Sequence, residues 1–212
     1  MTHTLSIRGL MTRGGLAAIA TLLLATPALA HHPFGGEAPQ TVFQGLLSGL
    51  GHPVIGLDHL AFIIAVGLLA AVLRQRALPI VFLLAAVFGT GLHLAELNLP
   101  APELVISGSV LLFGLLAVSH RQLNAPTVMA LAAIAGIFHG YAYGEAVVGA
   151  ESMPLVAYLA GFTLIQGAIA YTTYFLSQRH LKREGSAGII PLRQAGFVIC
   201  GAGAAFLGSL LI

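Results

Sequence analysis

The chain has 212 residues, of which 58% are apolar and 8% charged, where a soluble domain carries about 25% charged residues. That excludes a water-soluble globular domain and predicts an all-α, polytopic membrane protein; the net charge of +2 is too small to point to nucleic acid. The single cysteine, Cys200, excludes an internal disulfide and a cysteine-based zinc cluster, and the absence of a G-x-x-x-x-G-K-[ST] loop excludes ATP hydrolysis on this chain.

In chain order, residues 1–30 read as a cleaved secretory signal peptide. Arg8 and Arg13 form its positive region, Leu16 to Ala25 its apolar core, and Ala28-Leu29-Ala30 its cleavage site. The apolar core is too short to favour the competing reading, an uncleaved transmembrane helix. Cleavage leaves a mature chain beginning His31-His32-Pro33, on the periplasmic side, and that histidine pair is a candidate metal-collecting tag. Residues 31–51 form a periplasmic segment in which Thr41 to Leu50, too short to span, predicts a short interfacial helix.

Residues 52–212 then hold six runs of membrane length: Pro53–Leu73, Leu78–Leu97, Glu103–Ser119, Thr127–Gly144, Pro154–Ser177 and Ile190–Ile212. Arg74 and Arg76 follow the first run, Arg121 the third, and Arg179, Lys182, Arg183 and Arg193 separate the fifth from the sixth. The connections after the second and fourth runs carry Glu96, Glu103, Glu145 and Glu151 and no Lys or Arg. Basic residues favour the cytoplasm, so a six-helix transmembrane bundle with both mature termini in the periplasm is predicted, in the cytoplasmic (inner) membrane of a bacterium. Gly136, Gly140 and Gly144, and Gly196, Cys200, Ala204 and Gly208, form small-residue faces suited to helix packing. No feature selects an oligomeric state.

The intramembrane polar groups share a depth. His52, Asp58 and His59 fall in the outer part of the first run, with Pro53 expected to start its helix and the two imidazoles seven residues apart on one face. His93 and Glu96 close the second run, Glu103 opens the third, and His139, Tyr143 and Glu145 close the fourth. Singly, each has an ordinary explanation: a hydrogen-bonded packing histidine, a solvated helix-end glutamate, an interfacial tyrosine. Those explanations do not predict imidazoles from three helices at one level. Buried charges cost several kcal/mol each, and a cation offsets that penalty. His52, Asp58, His59, His93, Glu96, His139 and Glu145 are therefore the candidate metal ligands, in the outer half of the first, second and fourth spans. Thr163 and Gln166 are candidates for a path below. The rival readings are a haem-binding redox protein using His59, His93 and His139, and an intramembrane hydrolase pairing Ser107 or Ser109 with His139.

The pattern His52-Pro53-x-x-Gly56-x-Asp58-His59, followed by Val66-Gly67-Leu68, together with Phe138-His139-Gly140-Tyr141-Ala142-x-Gly144-Glu145, resembles the HupE/UreJ family of nickel and cobalt permeases. The resemblance implies a secondary transporter without a tightly bound cofactor, whose substrate is Ni2+ or Co2+. It assigns His52, Asp58 and His59 to one metal motif and His139 and Glu145 to the other. Many members have methionine where this chain has Ile63, and histidine where it has Tyr143. Without that thioether and imidazole the donor set is harder, which disfavours Cu(I) and leaves copper or zinc as alternative substrates.

Overall fold

In lipid a backbone must satisfy its own N–H and C=O groups, and a single apolar segment does so as an α-helix. The computed structural model describes residues 38–119 and 124–211, and the described chain is built from α1 (Val42–Ile55), α2 (Leu57–Leu73), α3 (Ala77–Leu94), α4 (Pro102–Val118), α5 (Ala125–Glu145), α6 (Ser152–Glu184) and α7 (Ile189–Ser209). A 3-10 turn over Gly185–Gly188 joins the last two. The signal peptide, His31, His32 and Arg121 lie outside the described residues.

The helix starts follow local chemistry. The Thr41 hydroxyl accepts from the Gln44 N–H at 3.2 Å while the Gln44 side chain accepts from the Thr41 N–H at 3.1 Å, a reciprocal cap. Asn124 caps α5 by accepting from the Thr127 N–H at 3.2 Å, and Pro102 opens α4 where its missing N–H costs nothing.

Pro53 departs from expectation. It does not start a helix but sits inside α1, which runs on to Ile55 before the chain breaks at Gly56 and turns by 77° into α2. The reason is packing: Gly45, Ser48, Gly49 and Pro53 form the buried face of α1, and Gly45 and Gly49 lie against the backbone of Pro154 and Tyr158 on α6. That contact carries the helix through the proline. His52 and His59 consequently belong to two different helices.

Glycine contacts fix the helix directions. Gly49 meets Tyr158, a Cβ added to Gly67 would come 2.6 Å from the Ala170 carbonyl oxygen, and the Gln178 side chain donates to the Ala71 carbonyl at 2.5 Å, so α1 and then α2 run in the same sense as α6. That helix has 33 residues, about 50 Å at 1.5 Å per residue. A Cβ added to Gly140 would strike Ala86 and one added to Gly144 would come 2.5 Å from His93 Cβ, which makes α3 and α5 parallel. A Cβ added to Gly114 would come 2.7 Å from the Cys200 backbone and one added to Gly196 3.0 Å from Ala117, which makes α4 and α7 antiparallel. Helix α2 touches every other helix and buries ten of its residues, His59 and the run from Phe62 to Ala71 with the exception of Ile64, as a helix apolar on all sides should.

Helices α3 and α5 and the stretch from Ser152 to Ser209 are long and apolar enough to cross a bilayer, as is the bent α1–α2 pair taken as one broken span; α4 is apolar but shorter. Leu84, Phe88, Leu164, Phe175 and Leu176 stand exposed on the outside, as lipid-facing side chains do. Arg74 caps α2, Arg76 caps α3, and the Arg193 side chain donates to the Val118 carbonyl at 3.0 Å, all at one end. His52, His59, His139 and the acids Glu103, Glu145 and Glu151 lie at the other.

Candidate metal centre

The break at Gly56 builds the centre. A Cβ there would come 2.8 Å from Cδ2 of His59 and 3.3 Å from Oδ1 of Asp58, so only glycine leaves room for both side chains in the first turn of α2. Asp58 Oδ1 accepts from the His59 N–H at 2.8 Å, capping the helix from within, while the His59 ring turns inward and is buried.

There it meets α5. His59 Nδ1 and His139 Nδ1 are 2.7 Å apart, and His139 Nε2 is 2.9 Å from Ser109 Oγ on α4. Proton counting orders this chain of contacts. Ser109 has one hydroxyl proton, and it lies toward the Ile106 carbonyl at 2.7 Å, an oxygen that only accepts. Ser109 Oγ therefore accepts from His139 Nε2–H, His139 Nδ1 carries a lone pair, and His59 Nδ1–H donates to it. His59 Nε2 is left as a lone-pair nitrogen. Phe62 stacks on the His139 ring at 4.3 Å and packs against Phe82 and Phe113, an apolar floor beneath the imidazoles.

The same counting applies to His52. The Tyr158 hydroxyl donates to the Tyr143 carbonyl at 3.0 Å and, its proton committed, accepts from His52 Nδ1 at 3.1 Å. The His52 and His59 ring centroids are 5.9 Å apart, and Tyr143 contacts both, at 5.0 and 4.4 Å. The Tyr143 hydroxyl is buried with no hydrogen-bond partner among the described residues.

The acids lie on the outer side. Glu103, in the first turn of α4, is within electrostatic reach of Asp58, His59 and Glu145, so three carboxylates gather near the His59 imidazole, where they favour cations. His93 and Glu96 do not join them. They line a separate cavity of about 470 Å³ with Asn98 and Tyr141, because Gly140 and Gly144 turn a different side of α5 to α3 than the side bearing His139. Among the described residues no three His, Cys, Asp or Glu side chains are grouped so as to hold a metal ion. The centre is an imidazole pair closed by its own hydrogen bond, with a third imidazole beside it. Haem would need a slot between two imidazoles; His59 and His139 are instead bonded to each other.

Tyr158 escaped the sequence reading, because helix rotation sets it and spacing alone does not give that. Ser109 does meet His139, the pairing weighed for a hydrolase, but its hydroxyl donates to the Ile106 carbonyl and not to the imidazole. Glu103 shares the depth of the other acids and was not counted among the candidate ligands.

The HupE / UreJ protein family matches residues 19–206. The chain belongs to the HupE/UreJ family. Protein HupE of Rhizobium leguminosarum bv. viciae is 31% identical over 187 residues, which cover 87% of this chain and 93% of that protein. No solved structure matches. With its long apolar helices, this HupE/UreJ chain is a membrane protein.

Proposed function

We propose that this HupE/UreJ protein is a secondary, ATP-independent importer of a divalent transition-metal ion, Ni2+ or Co2+, in the bacterial inner membrane. The observation that carries the reading is the burial of two imidazoles from distant helices with facing nitrogens 2.7 Å apart. Metal–imidazole bonds are about 2.0–2.1 Å, so two nitrogens sharing one ion stand roughly 3 Å apart. Admitting an ion requires the pair to open by a few tenths of an ångström and His59 to give up its Nδ1 proton. A site that rests closed on itself, and is no finished cage, suits a transported ion, which must leave as readily as it enters.

In this reading Asp58, Glu103 and Glu145 gather the cation, and His52, His59 and His139 take it up as nitrogen donors. The path inward runs by the Tyr143 hydroxyl and Gln166, whose Oε1 is buried without a partner among the described residues while its Nε2 donates to the Phe162 carbonyl at 3.1 Å. Thr163 flanks this path on α6. A divalent ion moving down about 100 mV gains roughly 4.6 kcal/mol, enough for about a thousandfold accumulation without ATP. The reading includes removal of residues 1–30, six crossings and periplasmic termini, with His31 and His32 ahead of the first helix.

Radiolabelled nickel and cobalt uptake into cells lacking other importers tests it. His59→Ala, His139→Ala and Asp58→Asn should each lose most uptake at unchanged membrane abundance. Uptake equal to wild type in the two histidine variants overturns the proposal.

A further inference from the structure

We propose that the cavity at the outer ends of α3 and α5 is a second cation site, separate from the His59–His139 pair, that takes a partly hydrated divalent transition-metal ion. Its walls hold His93, Glu96, Asn98 and Tyr141. The decisive observation is that an imidazole, a carboxylate, an amide and a phenol from the ends of two helices line one cavity. His93 Nδ1 is itself buried, with no hydrogen-bond partner among the described residues.

The surroundings hold that ring in place. Tyr141 packs edge-on against it at 4.5 Å between centroids, and Gly144, whose added Cβ would come 2.5 Å from His93 Cβ, lets α5 close up behind it. Glu96 follows three residues later, with a φ of 58° that glycine would adopt more easily. The Tyr141 hydroxyl and Asn98 Oδ1 stand 3.5 Å apart at the same cavity.

One imidazole nitrogen with carboxylate, amide and phenol oxygens is a borderline donor set that suits Ni2+, Co2+ or Zn2+ more than Cu(I) or Ca2+. Size points the same way. A water takes about 30 Å³ of liquid volume, so a cavity of about 470 Å³ holds an ion with much of its water, where the closed His59–His139 pair holds none. The site lies at the acidic end of the bundle, the end from which the proposed transporter is loaded. Its role as a waiting position rests on the transport reading; its binding of metal does not.

Equilibrium dialysis of tag-free full-length protein in detergent against radiolabelled nickel separates the two. Wild type should bind two ions per chain. Glu96→Gln with His93→Gln should remove one and leave the other within twofold of its wild-type affinity, and His59→Gln with His139→Gln should show the converse. Should His93→Gln fold poorly, Glu96→Gln alone, in the loop beyond α3, should weaken the outer ion at least tenfold. A single wild-type ion unaffected by the Glu96 and His93 changes overturns this inference and leaves the transport reading standing. Two ions in every His59 and His139 variant, with uptake intact, overturns the transport reading and leaves this one standing.

Discussion

At the scale of residues, the centre is governed by how few protons are shared among many acceptors. Ser109 holds His139 in the tautomer whose Nδ1 faces His59, and it does so as an acceptor because its own proton belongs to Ile106. Ser109→Ala should strand a buried N–H, a cost of about 1–3 kcal/mol visible as earlier thermal unfolding in detergent. It should also release the tautomer, so metal uptake should fall more steeply than stability explains. Unchanged uptake in Ser109→Ala would show that the hydroxyl only fills space. Gly56 sets a second test. Gly56→Ala drives a methyl toward the His59 ring, 2.8 Å away, and should depress uptake about tenfold or more while the protein reaches the membrane in normal amount, since the φ of −71° at Gly56 suits alanine.

Helices α3 and α5 show why small residues recur along this chain. Lipid removes most of the hydrophobic drive for helices to associate, so close backbone approach must supply it. A Cβ at Gly140 would run into the Ala86 carbonyl, and one at Gly89 into that of Ile137; backbone atoms cannot step aside. Gly108 on α4 has nothing within 4 Å. Gly140→Ala should therefore lower folded yield and unfolding temperature sharply, whereas Gly108→Ala should be neutral or stabilise by about 0.5–1 kcal/mol through its better helix propensity. Size-exclusion profile and melting temperature of the two purified variants decide the matter. The spacing of Gly136, Gly140 and Gly144 was legible in the sequence, and so was their use as a packing face. The break at Gly56 was not. Local preference puts a helix start at Pro53, and only the long-range contact of Gly45 and Gly49 with α6 carries α1 through it, a case of tertiary packing overriding local chemistry.

For the molecule as a whole, depth was readable and rotation was not. Charge placement ordered the ends: Arg74, Arg76 and Arg193 gather at one end, and Asp58, Glu103 and Glu145 at the other. Depth alone put His93 with His59 and His139. Which side of α5 each one meets depends on where the glycines let α3 approach, and no one-dimensional pattern contains that. The alternating directions of α2 through α7 make a prediction about sidedness that the lone cysteine allows to be tested cleanly. Cys200 packs near Gly114 and the Leu111 carbonyl, where Cys200→Ala should be accommodated. On that background, Ser152→Cys places a thiol at the exposed start of α6 and Ser186→Cys one in the exposed turn after it. Basic residues flank the second position and acidic ones the first, so positive-inside places Ser152 in the periplasm and Ser186 in the cytoplasm. A membrane-impermeant maleimide should label Ser152→Cys on intact spheroplasts and reach Ser186→Cys only after permeabilisation. The opposite pattern would put the imidazole pair at the cytoplasmic face and turn the proposed importer into a protein that gathers metal from inside.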